Sequence, residues 1–374
     1  MRVRHTQLLL RGGARTPLEP LAPESFWRST LPNETLLRRL SIVSTEGARR
    51  RVSVESPWKQ LTTRGMDESY ALGRRIETWM SEQSLGDEEE EVPALVIASP
   101  DQRSTWTARA VLRGLCASHG QSDPMAVRLR TTRAALRVPV QDEDEDAKQD
   151  VAMDLTELLA LRPDALEDAS WPRLLDVAET ASIFGLLPKG QLDQAWKAVL
   201  APAHRAARAL CDSKAAKRAG PLLRLTLEPA MLLQSGSLGS ERLRLVVLPG
   251  FSLLCWACAL QLPRLVRLWP APSSSLLVET LDDQDGQIFL RIWHPRTHLE
   301  LRPSWHQEDG PIPLERLQQE KLTRNPSTRA PRRTRADATR PKVTRGVKRG
   351  QELGLQEPLR GKTGASGASG VTVT

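Results

Sequence analysis

Over its first 140 residues the chain alternates short apolar runs with segments of helical period. Gln7-Leu8-Leu9-Leu10 and Val92–Ala98 read as short buried strands, and each ends in turn chemistry: Gly12-Gly13 after the first, Ser99-Pro100-Asp101 after the second. Behind the second turn, Ala108, Val111, Leu112 and Leu115 fall on one face of a helix expected from about Arg103 to Leu115. From about Asp150 to Lys217 the pattern turns helical. Leu155, Leu158, Leu159 and Leu161 recur at helical spacing, and Leu192–Leu210 is rich in helix formers, with Pro202 as a kink or break. A second mixed region runs from about Leu222 to Leu317. It holds a strand at Leu243–Leu248, a helix at Ser252–Leu262, and alternating strands at Ser275–Thr280 and Ile288–His294.

Strand, turn and helix in succession predict an α/β fold: a central mixed sheet flanked by helices, with ligand at the strand ends. The expected organisation is an α/β part over residues 1–140, an α-helical insertion over 141–220, a second α/β part over 221–323, and a basic tail over 324–374. The tail is rich in Arg, Thr, Pro and Gly and lacks the large apolar residues needed to order itself. The acidic runs Asp87–Glu91 and Asp142–Asp146 read as solvated loops, because like charges at that density repel.

Charge divides along the same boundary. The net charge of +8 conceals residues 321–374, with 13 Lys/Arg against 3 Asp/Glu, while the rest of the chain is close to neutral. Such a polycation can contact nucleic acid or an acidic surface by counterion release, but it carries no aromatic residues for base stacking. No apolar run of membrane-spanning length occurs. The first strand begins too early for a signal peptide, so a cytoplasmic protein is expected, with the basic tail also compatible with a nuclear one. Of four cysteines, Cys255 and Cys258 form a C-x-x-C inside an apolar helix and read as buried structural thiols. No second Cys or His pair completes a metal site, and no cofactor is expected.

The segment Arg11-Gly12-Gly13-Ala14-Arg15-Thr16-Pro17 sets two guanidiniums four residues apart on a Gly-rich turn, a composition suited to an anion pocket. It resembles the Arg-His-Gly-x-Arg-x-Pro signature of the histidine acid phosphatase family (histidine phosphatase superfamily, branch 2), with Gly12 at the nucleophilic histidine. Leu61-Thr-Thr-Arg-Gly65 with Leu72-Gly73-Arg74-Arg75 resembles the family's next helix. Ala98–Ala108, closing on Arg113-Gly114-Leu115, resembles the block that carries a third pocket arginine, here Arg103. Val246–Leu254 sits where the family has a strand ending in His-Asp, positions held here by Gly250 and Phe251. The blocks run in family order over residues 5–317. Ser304, Trp305 and Ile312 stand where members carry late disulfide cysteines, in keeping with a reducing compartment.

The resemblance implies a phosphate-binding set of Arg11, Arg15 and Arg103 without catalytic residues. Glycine offers no attacking atom, and phenylalanine no proton for a leaving group. The six histidines, His5, His119, His204, His294, His298 and His306, read as ordinary core or surface residues rather than replacements. The three arginines either keep a pocket for phosphate or a phosphorylated small molecule, or are relics paired with carboxylates such as Glu19, Asp67 or Asp101. The leading function is a catalytically impaired phosphatase homologue. The alternatives are an active phosphomonoester hydrolase with an altered site, and a scaffold or nucleic-acid-associated protein acting through the basic tail.

Overall fold

Ten consecutive residues, Arg2–Arg11, form β1, the strand on which the sheet is centred. In this computed structural model the described residues are 1–18, 21, 23–40, 44–45, 56–82, 94–117, 126–131, 145–159, 161–162, 164–186, 219–262, 270–306 and 308–323, all within one compact unit, Met1–Thr328. The other strands are β2 (Ser44–Thr45), β3 (Ala94–Ala98), β4 (Ala126–Thr131), β5 (Leu243–Leu248), β6 (Ser275–Asp282), β7 (Ile288–His294), β8 (Leu299–Glu300) and β9 (Ile312–Pro313). They make one mixed sheet in the order β2-β4-β3-β5-β1-β6-β7-β8, with β9 paired to β7. From β2 to β1 every pairing is parallel, and from β1 onward every pairing is antiparallel.

Helices cover both faces, and this is why β1 and β5 read as unbroken apolar runs rather than alternating ones. The helices are α1 (Glu24–Thr30), α2 (Glu34–Arg39), α3 (Thr63–Glu82), α4 (Gln102–Leu115), α5 (Glu145–Leu158), α6 (Trp171–Ile183), α7 (Gly220–Gln234), α8 (Gly250–Ala259) and α9 (Leu314–Thr323). On one face Leu9, Ile97, Val246 and Val278 pack with Leu222 of α7, Trp256 of α8 and Leu314 of α9. On the other, Leu8, Leu10, Val96, Leu245 and Val247 pack with Leu72 and Ile76 of α3 and with Ala108, Val111, Leu112 and Leu115 of α4. The predicted apolar face of α4 is therefore the buried one.

Two motif glycines set the approach of α3 to α4. A Cβ on Gly73 would lie 2.1 Å from the Val111 carbonyl oxygen, and one on Gly114 would lie 2.2 Å from that of Tyr70. Only bare backbone lets the helices come this close. A separate apolar core holds Val151, Ala152 and Leu155 of α5, Leu174, Leu175, Val177 and Ala178 of α6, and Trp27 of α1.

Three sequence expectations change. α5 starts at Glu145, so the end of the acidic run read as a loop is helical. α8 starts at Gly250, two residues early, directly from β5. Cys255 is a buried thiol, but Cys258 is disulfide-bonded, so the reading of both as thiols fails for Cys258: burial in an apolar helix does not tell a thiol from a bridged sulfur. The expected helix at Leu192–Leu210, the acidic run Asp87–Glu91, Glu19 and the basic tail lie outside the described residues. No described helix is long and apolar enough to cross a membrane.

Candidate functional site

β3, β5 and β1 lie side by side and parallel, so their C-terminal ends share one edge of the sheet. Each end carries a position singled out in the sequence. Arg11 is the last residue of β1. Gly250 and Phe251 open α8 two residues beyond β5. Arg103 lies in the first turn of α4, which follows β3. Both helix N-termini add partial positive charge to this edge.

The turn from Gly12 to Thr16 is fixed from outside. The Gly13 amide donates to Thr107 Oγ1 at 3.0 Å. The Thr62 hydroxyl donates to the Ala14 carbonyl at 2.9 Å, and Thr16 exchanges bonds with Gln60. Arg103 completes the frame, its Nε donating to the Gly13 carbonyl at 2.8 Å and its Nη2 to the Gly12 carbonyl at 2.7 Å.

Arg11 and Arg15 have carboxylate partners from a distant helix. The Arg11 guanidinium grips both oxygens of Glu179 and also donates to the Pro270 carbonyl. Arg15 Nη2 donates to Asp176 Oδ1 at 2.5 Å, and the other Asp176 oxygen accepts the Leu18 amide at 3.3 Å. Side-chain exposure is 5% and 8% for the first pair and 11% and 8% for the second, so both pairs are cut off from water. Charge isolated in this way is sustained only by good geometry and saturated hydrogen bonding. Burial first, then the nearby Arg15 and Arg11 charges, push Arg103 down to about 9, against the pull of Asp176 and Glu179. Arg103 thus lies near enough to Arg11 and Arg15 for their charges to act on it.

The glycines explain how they fit. A Cβ on Gly12 would lie 2.9 Å from Arg103 Nε, and one on Gly250 would lie 2.6 Å from Arg11 Nε and 3.0 Å from its Cδ. A side chain at either position would require the end of an arginine to shift. Phe251 is buried beside them.

The described histidines sit elsewhere. His5 bonds Glu241 at the opposite end of β1, His294 bonds Thr297, His306 lies against Arg316 and Gly310, and His298 is exposed in the turn after β7. Among the described residues no group of three His, Cys, Asp or Glu side chains could hold a metal.

The sequence does not single out Asp176 and Glu179; its candidates are Glu19, Asp67 and Asp101, of which Glu19 lies outside the described residues. Asp101 instead caps α4, accepting from the Ser104 amide at 2.9 Å. The available signal was two acids three residues apart within Leu174–Ala181, a stretch otherwise nearly all apolar.

Residues 2–164 match the family profile described as Histidine phosphatase superfamily (branch 2). No curated protein sequence matches the chain. Among solved structures, it resembles the Hafnia alvei phytase in complex with myo-inositol hexakis sulphate, at 14% identity and a TM-score of 0.54, over 86% of this chain and 96% of that one. The Citrobacter braakii phytase gives 14% identity and a TM-score of 0.53, over 86% and 97%. The Bifidobacterium longum multiple inositol polyphosphate phosphatase in complex with inositol hexasulfate gives 10% identity and 0.52, over 80% and 88%. Residues 2–164 thus match the profile of the histidine phosphatase superfamily (branch 2), and the solved structures show that the likeness in fold extends well beyond that match.

Proposed function

We propose that this is a histidine phosphatase-fold protein that no longer hydrolyses phosphomonoesters and keeps Arg11, Arg15 and Arg103 as a binding site for a phosphorylated small molecule or phosphate. One observation carries the reading: the places where side chains would begin at Gly12 and Gly250 are crowded by the guanidinium ends of Arg103 and Arg11. Nothing at those positions attacks phosphorus, and Phe251 carries no proton for a leaving group. Loss of a nucleophile removes roughly 10⁴- to 10⁶-fold in rate. What remains is a buried group of guanidiniums at two helix N-termini, matched in charge and fork geometry to an oxyanion.

The test is an assay with p-nitrophenyl phosphate and inositol phosphates across acid to neutral pH. The expected result is no turnover above buffer. Saturable turnover that disappears in Arg11→Ala overturns the proposal and makes the chain an active hydrolase.

A further inference from the structure

The positive edge of the sheet is not open: α6 already fills it with negative charge. We infer that α6 is a built-in competitor of the ligand, with Glu179 and Asp176 acting as an internal anion that a phosphorylated molecule must displace. This rests on reading the arginines as an anion site.

Glu179 engages Arg11 through both oxygens, the two-pronged geometry that a phosphoryl group also takes on a guanidinium. Asp176 engages Arg15 and the Leu18 amide together. These carboxylates come from 161 and 168 residues downstream, although Asp67 and Asp101 are far closer in sequence. They come, moreover, from a helix with its own core. Leu174, Leu175, Val177 and Ala178 pack with α5 and Trp27, apart from the two cores that hold the sheet. α6 can therefore withdraw its acids without opening the sheet. A further described tie is the Arg64 guanidinium of α3 donating to the Ile183 carbonyl at 3.0 Å, at the exposed end of α6.

Charge also narrows the ligand. Two carboxylates sit against three guanidiniums, so an incoming group must bring about two negative charges to leave the edge as well neutralised as before. A phosphate monoester or sulfate does this; acetate does not. Binding would expel Glu179 and Asp176 toward solvent and loosen α6, which links the state of the site to that of the helical segment.

The experiment compares full-length protein with the Asp176→Asn/Glu179→Gln variant, which keeps shape and removes charge. Inorganic phosphate is titrated by calorimetry and by Tm, with acetate as control. The variant is expected to melt lower than the parent without phosphate, to be rescued by phosphate but not acetate, and to bind phosphate about tenfold or more tightly than the parent. Equal affinity in both, lost in Arg15→Ala, overturns the competitor while leaving the anion site standing. No binding in either protein, with both folded by circular dichroism, overturns the anion site and the competitor with it. Should the double variant not fold, the parent decides by hydrogen exchange at a phosphate concentration that raises its Tm. Faster exchange of α6 amides supports displacement, and unchanged or slower exchange overturns it.

Discussion

β1 and β5 carry a charge cluster at each end, and the two clusters are built differently. At the end where the strands begin, Arg244 donates to Glu241 and Glu228, each at 2.7 Å, and His5 Nε2 lies 3.0 Å from Glu241. Arg244 and His5 are buried, but Glu228 is 41% exposed and Glu241 24%. Water reaches these acids and screens them. Both acids are also near Arg244 in sequence, 16 and 3 residues away. At the opposite end the acids are as buried as the arginines and arrive from α6. The same chemistry is therefore locally supplied and solvent-relieved at one end, and remotely supplied and dry at the other. Only the dry end depends on how a distant segment packs.

The largest expected effect contrasts the two ends directly. Glu179→Ala leaves the Arg11 charge buried without its carboxylate and should lower stability by roughly 3–5 kcal/mol. Glu241→Ala should remove less than ~2 kcal/mol, because Arg244 keeps Glu228 and the site is open to water. Chemical denaturation of both variants measures the difference, and equal losses would erase the contrast. A smaller effect sharpens the picture of the dry end. Gly250→Ala pushes a methyl against Arg11 and should cost about 1–3 kcal/mol. In a Glu179→Gln background Arg11 is held less tightly, so the same change should cost less; strict additivity would mean that the arginine does not occupy that space.

The smallest effect belongs to the wet end. Burial lowers the His5 pKa below 6.5, ahead of the upward pull of Glu241. Burial raises Glu241, but hydrogen bonds from His5 and Arg244 outweigh it and hold the carboxyl below 4.5. The fold therefore binds fewer protons at His5 than the unfolded chain does. Its contribution is complete above pH 6.5 and declines as pH falls through the lowered value, while Glu241 still holds its charge. His5→Gln should flatten the stability profile just below pH 6.5. A profile unchanged from that of the parent would show that His5 is not the group that responds.

The same contrast explains what could be read in the sequence. β5 and β7 lie where their apolar patterns put them, and α4 begins one residue early, because period and burial are local properties. β1 is longer than Gln7–Leu10 because Arg2–Thr6 continue the ladder to β6 despite their polarity, a pairing made with residues some 275 positions away. The arginines at the dry end were legible by type and spacing. Their partners were not: the two acids set in the apolar stretch Leu174–Ala181 mark a polar spot on a helix, but nothing local says which cations they meet. Nor could spacing reveal that Gly12 and Gly250 make room for the ends of two arginines, a fact of three-dimensional approach alone.

The placement of Glu179 and Asp176 on α6 has a practical consequence for anyone trimming the chain. A shortened version without that helix would leave a basic groove facing the bulk. Such a protein would gather polyanions from any extract, copurify with nucleic acid and absorb at 260 nm, and its apparent ligand preferences would be artefacts of the missing acids.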